Sequence, residues 1–209
     1  MTDEIRIYVE GGGDTHYGRA SLRQGFNTFL GRLRDAAREK RIRWYLVPGG
    51  PRNSCFYDFC NALECHPSAF NVLLVDAEAD VSTEPWEHLR TRDGWLTPAS
   101  ADNYHLMVQT MEAWFLADRG VLARYYGDGF LDSALPKNAD VEQVDKALLE
   151  SSLDNATRGT QKGKYRKIRH GAALLALINP DIVRHKAKHC DRLFCQLESL
   201  ISGLKPKLG

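Results

Sequence analysis

An α/β fold is expected here: a parallel sheet flanked by helices, with a mostly helical C-terminal part. Strand-like runs alternate with amphipathic runs of helical spacing through the first 126 residues. Residues 71–75 (Asn-Val-Leu-Leu-Val) are almost continuously apolar, as a strand buried on both faces requires. The resulting β-α-β-α-β order implies parallel pairing with right-handed crossovers. The 209 residues suit one domain, with an α/β core over 1–126 and a helical, basic extension over 127–209.

Each element has its own reason. In residues 4–10, Ile5, Ile7 and Val9 alternate with polar neighbours, and Gly11-Gly12-Gly13 ends the strand. Leu22, Phe26, Phe29, Leu30, Leu33 and Ala37 share one helical face, so residues 21–40 read as a helix. A second strand over 42–47 stops at Pro48-Gly49-Gly50-Pro51. Asn53 or Ser54 then caps a helix to about Glu64, with Phe56, Phe59, Cys60 and Leu63 inward. Asp76 ends the third strand, and residues 77–103 read as an irregular excursion. Residues 104–108 form a fourth strand and 110–126 a helix. Beyond a loop over 127–140, a helix is expected near 141–150, then a polar basic loop to about residue 170. Helices over 172–178 and 181–204 follow, separated at Pro180.

Composition narrows the classes. Charged residues are 26% and hydrophobic ones 43% of the chain, ordinary for a folded soluble protein. No run approaches the ~18 apolar residues of a membrane span, and the start Met1-Thr2-Asp3-Glu4 lacks a signal-peptide pattern. A cytoplasmic protein without a membrane partner is expected. Its five cysteines are spaced C-x4-C-x4-C and C-x4-C, which suits reduced thiols better than a zinc site. The net charge of +1 hides an asymmetry. Residues 155–209 hold 12 Lys/Arg against 3 Asp/Glu, while residues 1–154 hold 16 against 24. An acidic body with a basic C-terminal quarter suits an anionic partner or self-association into a homo-oligomer.

The chemistry is sought beyond the carboxyl ends of the strands, where open parallel sheets bind ligands. Glu10 ends the first strand; Asp76 ends the third, followed by Glu78 and Asp80. Carboxylates gathered on one rim repel one another and usually hold a hard cation such as Mg2+ (or Mn2+). Asp14 and Glu112 are further candidates for that rim. The glycine run after Glu10 would let backbone approach a phosphate, but it matches neither the G-x4-G-K-[ST] loop nor G-x-G-x-x-G. ATP or NAD binding by those routes is disfavoured. Residues 156–180 contain no acidic residue and carry Arg158, Lys162, Lys164, Arg166 and Lys167, with Tyr165 among them. Such a stretch can follow a phosphate backbone while the tyrosine stacks on a base.

Val9-Glu10-Gly11-Gly12-Gly13-Asp14 and Leu74-Val75-Asp76-Ala77-Glu78 resemble the TOPRIM signature, a Glu after the first strand and an Asp-x-Asp after the third. The chain more closely resembles the domain-of-unknown-function 4276 family, also called RloG-like. Carrying that resemblance are Tyr8 to Gly13, Gly49-Gly50-Pro51-Arg52-Asn53, Pro85-Trp86, Asp93-Gly94-Trp95, His105 to Asp118 with its Met-Glu-Ala-Trp block, and Lys162-Gly163-x-Tyr165-x-Lys167. It implies a Rossmann-like TOPRIM core and Mg2+-dependent cleavage or transfer of phosphodiesters, with a partner ATPase in anti-phage defence. Asp76-x-Glu78 departs from the Asp-x-Asp pattern, placing the second carboxylate one methylene further out.

Together these readings make Glu10, Asp76 and Glu78 the expected catalytic and metal residues, with Asp80 as an added ligand. Glu10 is alternatively a general base. Arg158, Lys162, Lys164, Tyr165, Arg166 and Lys167 are expected to hold nucleic acid. The alternative is a non-catalytic TOPRIM-like module of an ATPase or nucleic-acid complex.

Overall fold

The computed structural model describes residues 2–96 and 99–203. Four strands, β1 (Glu4–Glu10), β2 (Arg43–Gly50), β3 (Phe70–Asp76) and β4 (Tyr104–Met107), form one sheet in the order β2-β1-β3-β4. All three pairings are parallel, with Ile7 opposite both Leu46 and Val72, and Val75 opposite Leu106.

Alternation along the strands divides the side chains between two cores. Ile5, Ile7, Val9, Val72 and Leu74 face a large core shared with α1 (His16–Phe29), α2 (Gly31–Glu39), α5 (Glu112–Ala117) and the C-terminal helices. Tyr8, Leu73, Val75 and Leu106 face a smaller core under α3 (Arg52–Cys65) and α4 (Pro85–Asp93). The large core runs in sequence from Ile5 to Ile201, so residues 127–203 pack as a layer of the α/β unit.

Several element boundaries differ from expectation, each for a local reason. The helix expected over 21–40 starts at His16, because the Thr15 side chain caps it by accepting from Gly18 N at 3.1 Å, and it divides at Leu30. The one expected over 110–126 divides into α5 and α6 (Arg119–Tyr126) at Asp118. That carboxylate accepts from the backbone N–H groups of Val121 and Asn179. Residues 77–103 include α4, opened by Pro85 at a position that needs no N–H donor. Near 141–150, a short 3-10 turn at Val141–Gln143 precedes α7 (Lys146–Thr157), capped by Asp145. α8 (Lys167–Leu177) begins inside the stretch read as a loop. The last helix divides at Ala187 into α9 (Pro180–Lys186) and α10 (Lys188–Ser202), and Leu204 lies outside the described residues.

One crossing positions the site. A Cβ on Gly25 would stand 2.6 Å from Ala172 O, so glycine lets α1 and α8 approach backbone to backbone. The N-terminus of α8, carrying Lys167, is thereby laid over the ends of β1 and β3. All five cysteines are free thiols, with Cys55 and Cys190 buried. Among the described residues, no helix is long and apolar enough to cross a membrane.

Candidate metal centre at the ends of β1 and β3

β2 lies on one side of β1 and β3 on the other. The chain leaves β1 toward α1 on one face and leaves β3 toward α4 on the opposite face. The crevice between such diverging connections is where open α/β sheets take ligands. Glu10 and Asp76 stand at its lip, as the last residues of their strands.

One oxygen each from Glu10, Asp76 and Glu78 lie within 4.8 Å of one another. Asp76 continues the Val72–Leu74 face toward α8, while Glu10 continues the Tyr8 face toward α3. Glu78 reaches the rim from a left-handed backbone (φ 64°), its N–H donating to Gln109 O at 2.7 Å. A non-glycine residue in that region costs of order 1 kcal/mol or more and persists only where its surroundings impose it.

Each carboxylate has a cation against it. Arg52 Nη1 donates to Glu10 Oε2 at 2.9 Å, and Asp76 N donates to the same oxygen at 3.2 Å. Lys167 Nζ donates to Asp76 Oδ2 at 2.8 Å and lies 3.6 Å from Glu112 Oε2. Lys146 Nζ is in direct contact with Glu78 Oε2. The other Asp76 oxygen, Oδ1, accepts from Met111 N at 2.8 Å. Glu112 is itself buried and accepts from the Tyr165 hydroxyl at 2.8 Å.

These cations do not fully offset the cost of burying the carboxylates. Burial pushes the Asp76 carboxyl up to about 6; Lys167 opposes the rise, and Glu112 and Glu10 add to it. Glu10 is also raised, by burial against Arg52 and Lys167. Burial disfavours the Lys167 ammonium, yet Asp76, Glu112 and Glu10 outweigh it and hold its pKa above the usual lysine value.

This donor set fits a hard divalent cation. A six-coordinate Mg2+ sets its oxygens about 3–4 Å apart, so a small inward movement from the present spacing suffices. Buried carboxylates with raised pKa values are also what an added positive charge would relieve.

The other expected site residues divide. Asp80 stands outside the trio, accepting from Gln109 Nε2 at 2.7 Å, because that amide bridges the β3 loop to Lys146 N. Asp14 is exposed at the cavity mouth. Glu112 does turn toward Asp76 and Lys167. Of the basic stretch, Lys167 belongs to the acidic centre, Lys164 pairs with Asp154 at 2.9 Å, and Lys162 lies over the Tyr125 ring. Arg158 and Arg166 are exposed. Tyr165, expected to stack on a base, packs its ring edge-on to Phe115 and gives its hydroxyl to Glu112. Its proximity to Phe115 follows from helix docking, which local spacing does not encode.

Arg52, Asp93, Lys146 and Gln109 are site residues that the sequence reading did not single out. Arg52 binds Asp93 through two hydrogen bonds and also donates to Asp76 O at 2.5 Å. It lies 5.0 Å from the centre of the Trp95 ring, which stacks on Phe56 at 4.1 Å. The signal for Arg52 and Asp93 was present in the Gly49-to-Asn53 and Asp93-Gly94-Trp95 motifs. Nothing local marks Lys146.

The chain belongs to the family described as domain of unknown function (DUF4276), whose model matches residues 9–198. That span includes every residue of the centre. No curated protein and no solved structure matches the chain.

Proposed function

We propose that this member of the family is a TOPRIM-like, Mg2+- or Mn2+-dependent phosphodiester-cleaving protein acting on nucleic acid. The observation that carries the reading is the convergence of Glu10, Asp76 and Glu78 within 4.8 Å at the crevice between β1 and β3. These three residues would hold the ion. Bound there, a divalent cation would polarise a phosphate oxygen and lower the pKa of an attacking water.

The chain's own residues supply the rest. Arg52, fixed by Asp93, holds Glu10 through Oε2 and leaves Oε1 to ligate the ion or, alternatively, to take a proton from water. Lys167 has a half-exposed side chain and reaches the same rim, so its ammonium can turn from Asp76 to a phosphate oxygen. Exposed Arg158 and Arg166 precede α8 and exposed Arg169 lies in its first turn, where a phosphate backbone can run. Because the chain lacks a phosphate loop of the G-x4-G-K-[ST] kind, ATP control would come from a separate ATPase subunit, as in anti-phage defence in a cytoplasm.

The test pairs thermal stability with cleavage. Mn2+ or Mg2+ should raise the melting temperature of the wild type saturably, since an ion bound only by the folded state stabilises it by mass action. Glu10→Gln and Asp76→Asn should each lose that rise and lose cleavage of single-stranded DNA and RNA. Changing Arg158, Arg166 and Arg169 together to Ala should instead weaken binding of all sequences alike and flatten log K against log salt by roughly 0.7–0.9 per lost contact. No metal-dependent rise and no cleavage would refute the reading.

A second reading, a non-catalytic adaptor of an ATPase or nucleic-acid complex, is favoured by one observation. All three carboxylates already face cations, Arg52, Lys167 and Lys146. It predicts full nucleic-acid or ATPase binding in Glu10→Gln.

A further inference from the structure

The carboxylates close one end of a cavity of about 310 Å³, most of whose lining the mechanism above does not use. Its two walls differ in kind. One is backbone: Gly11, Gly12, Gly13 and Gly50, all at positive φ (115°, 86°, 61° and 71°), where side chains are disfavoured. The other is aliphatic, formed by Leu22, Met111, Ile168 and Ala172. Glu10, Asp76 and Lys167 close one end.

The walls converge at their margins. A Cβ on Gly11 would meet Leu22 Cδ2 at 3.2 Å, and one on Gly13 would meet Ile168 Cδ1 at 3.6 Å. The space is therefore a slot between peptide planes and aliphatic side chains. Among the described residues, the N–H groups of Gly12 and Gly13 donate to no protein acceptor, so the backbone wall has donors to offer. At the mouth, Ile168 is 71% exposed, directly after Lys167. An apolar side chain there can cover one face of a ligand held in the cavity.

We infer that this slot receives one unpaired nucleobase of the nucleic-acid strand whose phosphate lies at Lys167 and the carboxylate rim. This rests on the phosphodiester reading above and deepens it by naming the substrate class: a single-stranded or end-frayed strand, one base of which leaves the stack. A planar heterocycle matches the slot on two counts. Its faces suit the aliphatic wall, and its edge acceptors suit the glycine N–H groups. The volume is at the lower end of small-ligand sites, enough for one nucleoside unit and too little for a base pair. Paired bases keep their faces stacked on neighbours and cannot enter.

The experiment measures binding of short single-stranded oligonucleotides to the full chain in EDTA, by fluorescence anisotropy at low salt. One set is intact; the other has one abasic unit placed in turn at each position. An abasic unit at a single register should weaken binding several-fold, because the base no longer covers the aliphatic wall. Pairing the oligonucleotide into a duplex should weaken it at least as much. Ile168→Ala, at an exposed position, should weaken the intact oligonucleotide and leave the abasic one unchanged, with the melting temperature checked in parallel. Equal affinity for intact and abasic strands at every register would overturn the inference. So would no measurable binding, tighter binding of duplex, or an Ile168→Ala loss that is the same for both strands.

Failure of the slot and failure of the metal reading are separable. Mg2+-dependent cleavage indifferent to the abasic unit removes the slot alone. Base-dependent binding in EDTA with no cleavage in Mg2+ or Mn2+ removes the metal reading alone.

Discussion

Arg52 grips Asp93 in a two-point ion pair, Nε to Oδ1 at 3.0 Å and Nη2 to Oδ2 at 2.7 Å. The third guanidinium nitrogen reaches Glu10. The end of α4 is thus tied to the start of α3 across the mouth of the crevice, and the Glu10 carboxylate is oriented by a side chain that is itself held. Burial raises the Asp93 carboxyl pKa, but Arg52 outweighs it and the net shift is downward.

Asp93→Asn should lower the free energy of unfolding by about 1.5–3 kcal/mol, the usual scale for a charged hydrogen bond lost at a mostly buried site. Arg52→Lys should not restore it, because a lysine cannot serve Asp93 at two points and Glu10 at a third. Urea titration of the three proteins decides this. Wild-type stability in Arg52→Lys would remove the positioning role.

On the proposed metal reading, Lys167 and a bound ion would compete for the Asp76 carboxylate. Lys167→Met should be less stable than wild type without metal, since Asp76 and Glu112 lose their shared cation. The same variant should bind Mn2+ more tightly, by about tenfold or ~1.4 kcal/mol, read as a larger rise in melting temperature at equal Mn2+. Weaker Mn2+ binding in the variant would show that Lys167 does not face the ion.

Two glycine substitutions separate close approach from helix propensity. Gly25→Ala should destabilise by about 1–3 kcal/mol, because the new methyl would meet Ala172 O at 2.6 Å and the α1–α8 crossing must open. Gly31→Ala has nothing within 4 Å of the new Cβ and should be neutral or stabilising by up to ~1 kcal/mol. Chemical denaturation measures both. Equal effects would mean the crossing tolerates a methyl.

His105 gives a pH dependence of known sign. It is buried, with Nε2 3.2 Å from Asp102 O and Nδ1 facing Arg192 at 3.2 Å. Burial first, then Arg192, holds its pKa down to about 3. The unfolded imidazole takes its proton near 6.5. Stability from His105 is therefore present above about pH 6.5 and is lost progressively as pH falls toward 3. Asp76, raised to about 6, acts oppositely between about 6 and 4, so the comparison must be differential. Between pH 7.5 and 5.5 the wild type should lose about 1.4 kcal/mol more than His105→Gln. Parallel pH profiles for the two proteins would contradict this.

Period-two alternation in residues 4–10 and the continuous apolar run over 71–75 sufficed to place β1 and β3 near their observed positions and to put Glu10 and Asp76 at two strand ends. A parallel β-α-β order then implies that strand ends share one rim, so the acidic trio was legible from residues 4–10 and 70–78 alone. The partners of those carboxylates were not. Lys167 lies 91 residues from Asp76 in the chain, Lys146 lies 68 from Glu78, and Asp93 lies 41 from Arg52. Each pairing exists because helices dock, α8 on α1 through Gly25 and α7 beside the β3 loop through Gln109. Local periodicity reports which face of a helix is apolar, but not which neighbour covers it. The same limit explains Tyr165, whose basic, glycine-rich surroundings read as an exposed loop until packing against Phe115 turned its hydroxyl to Glu112.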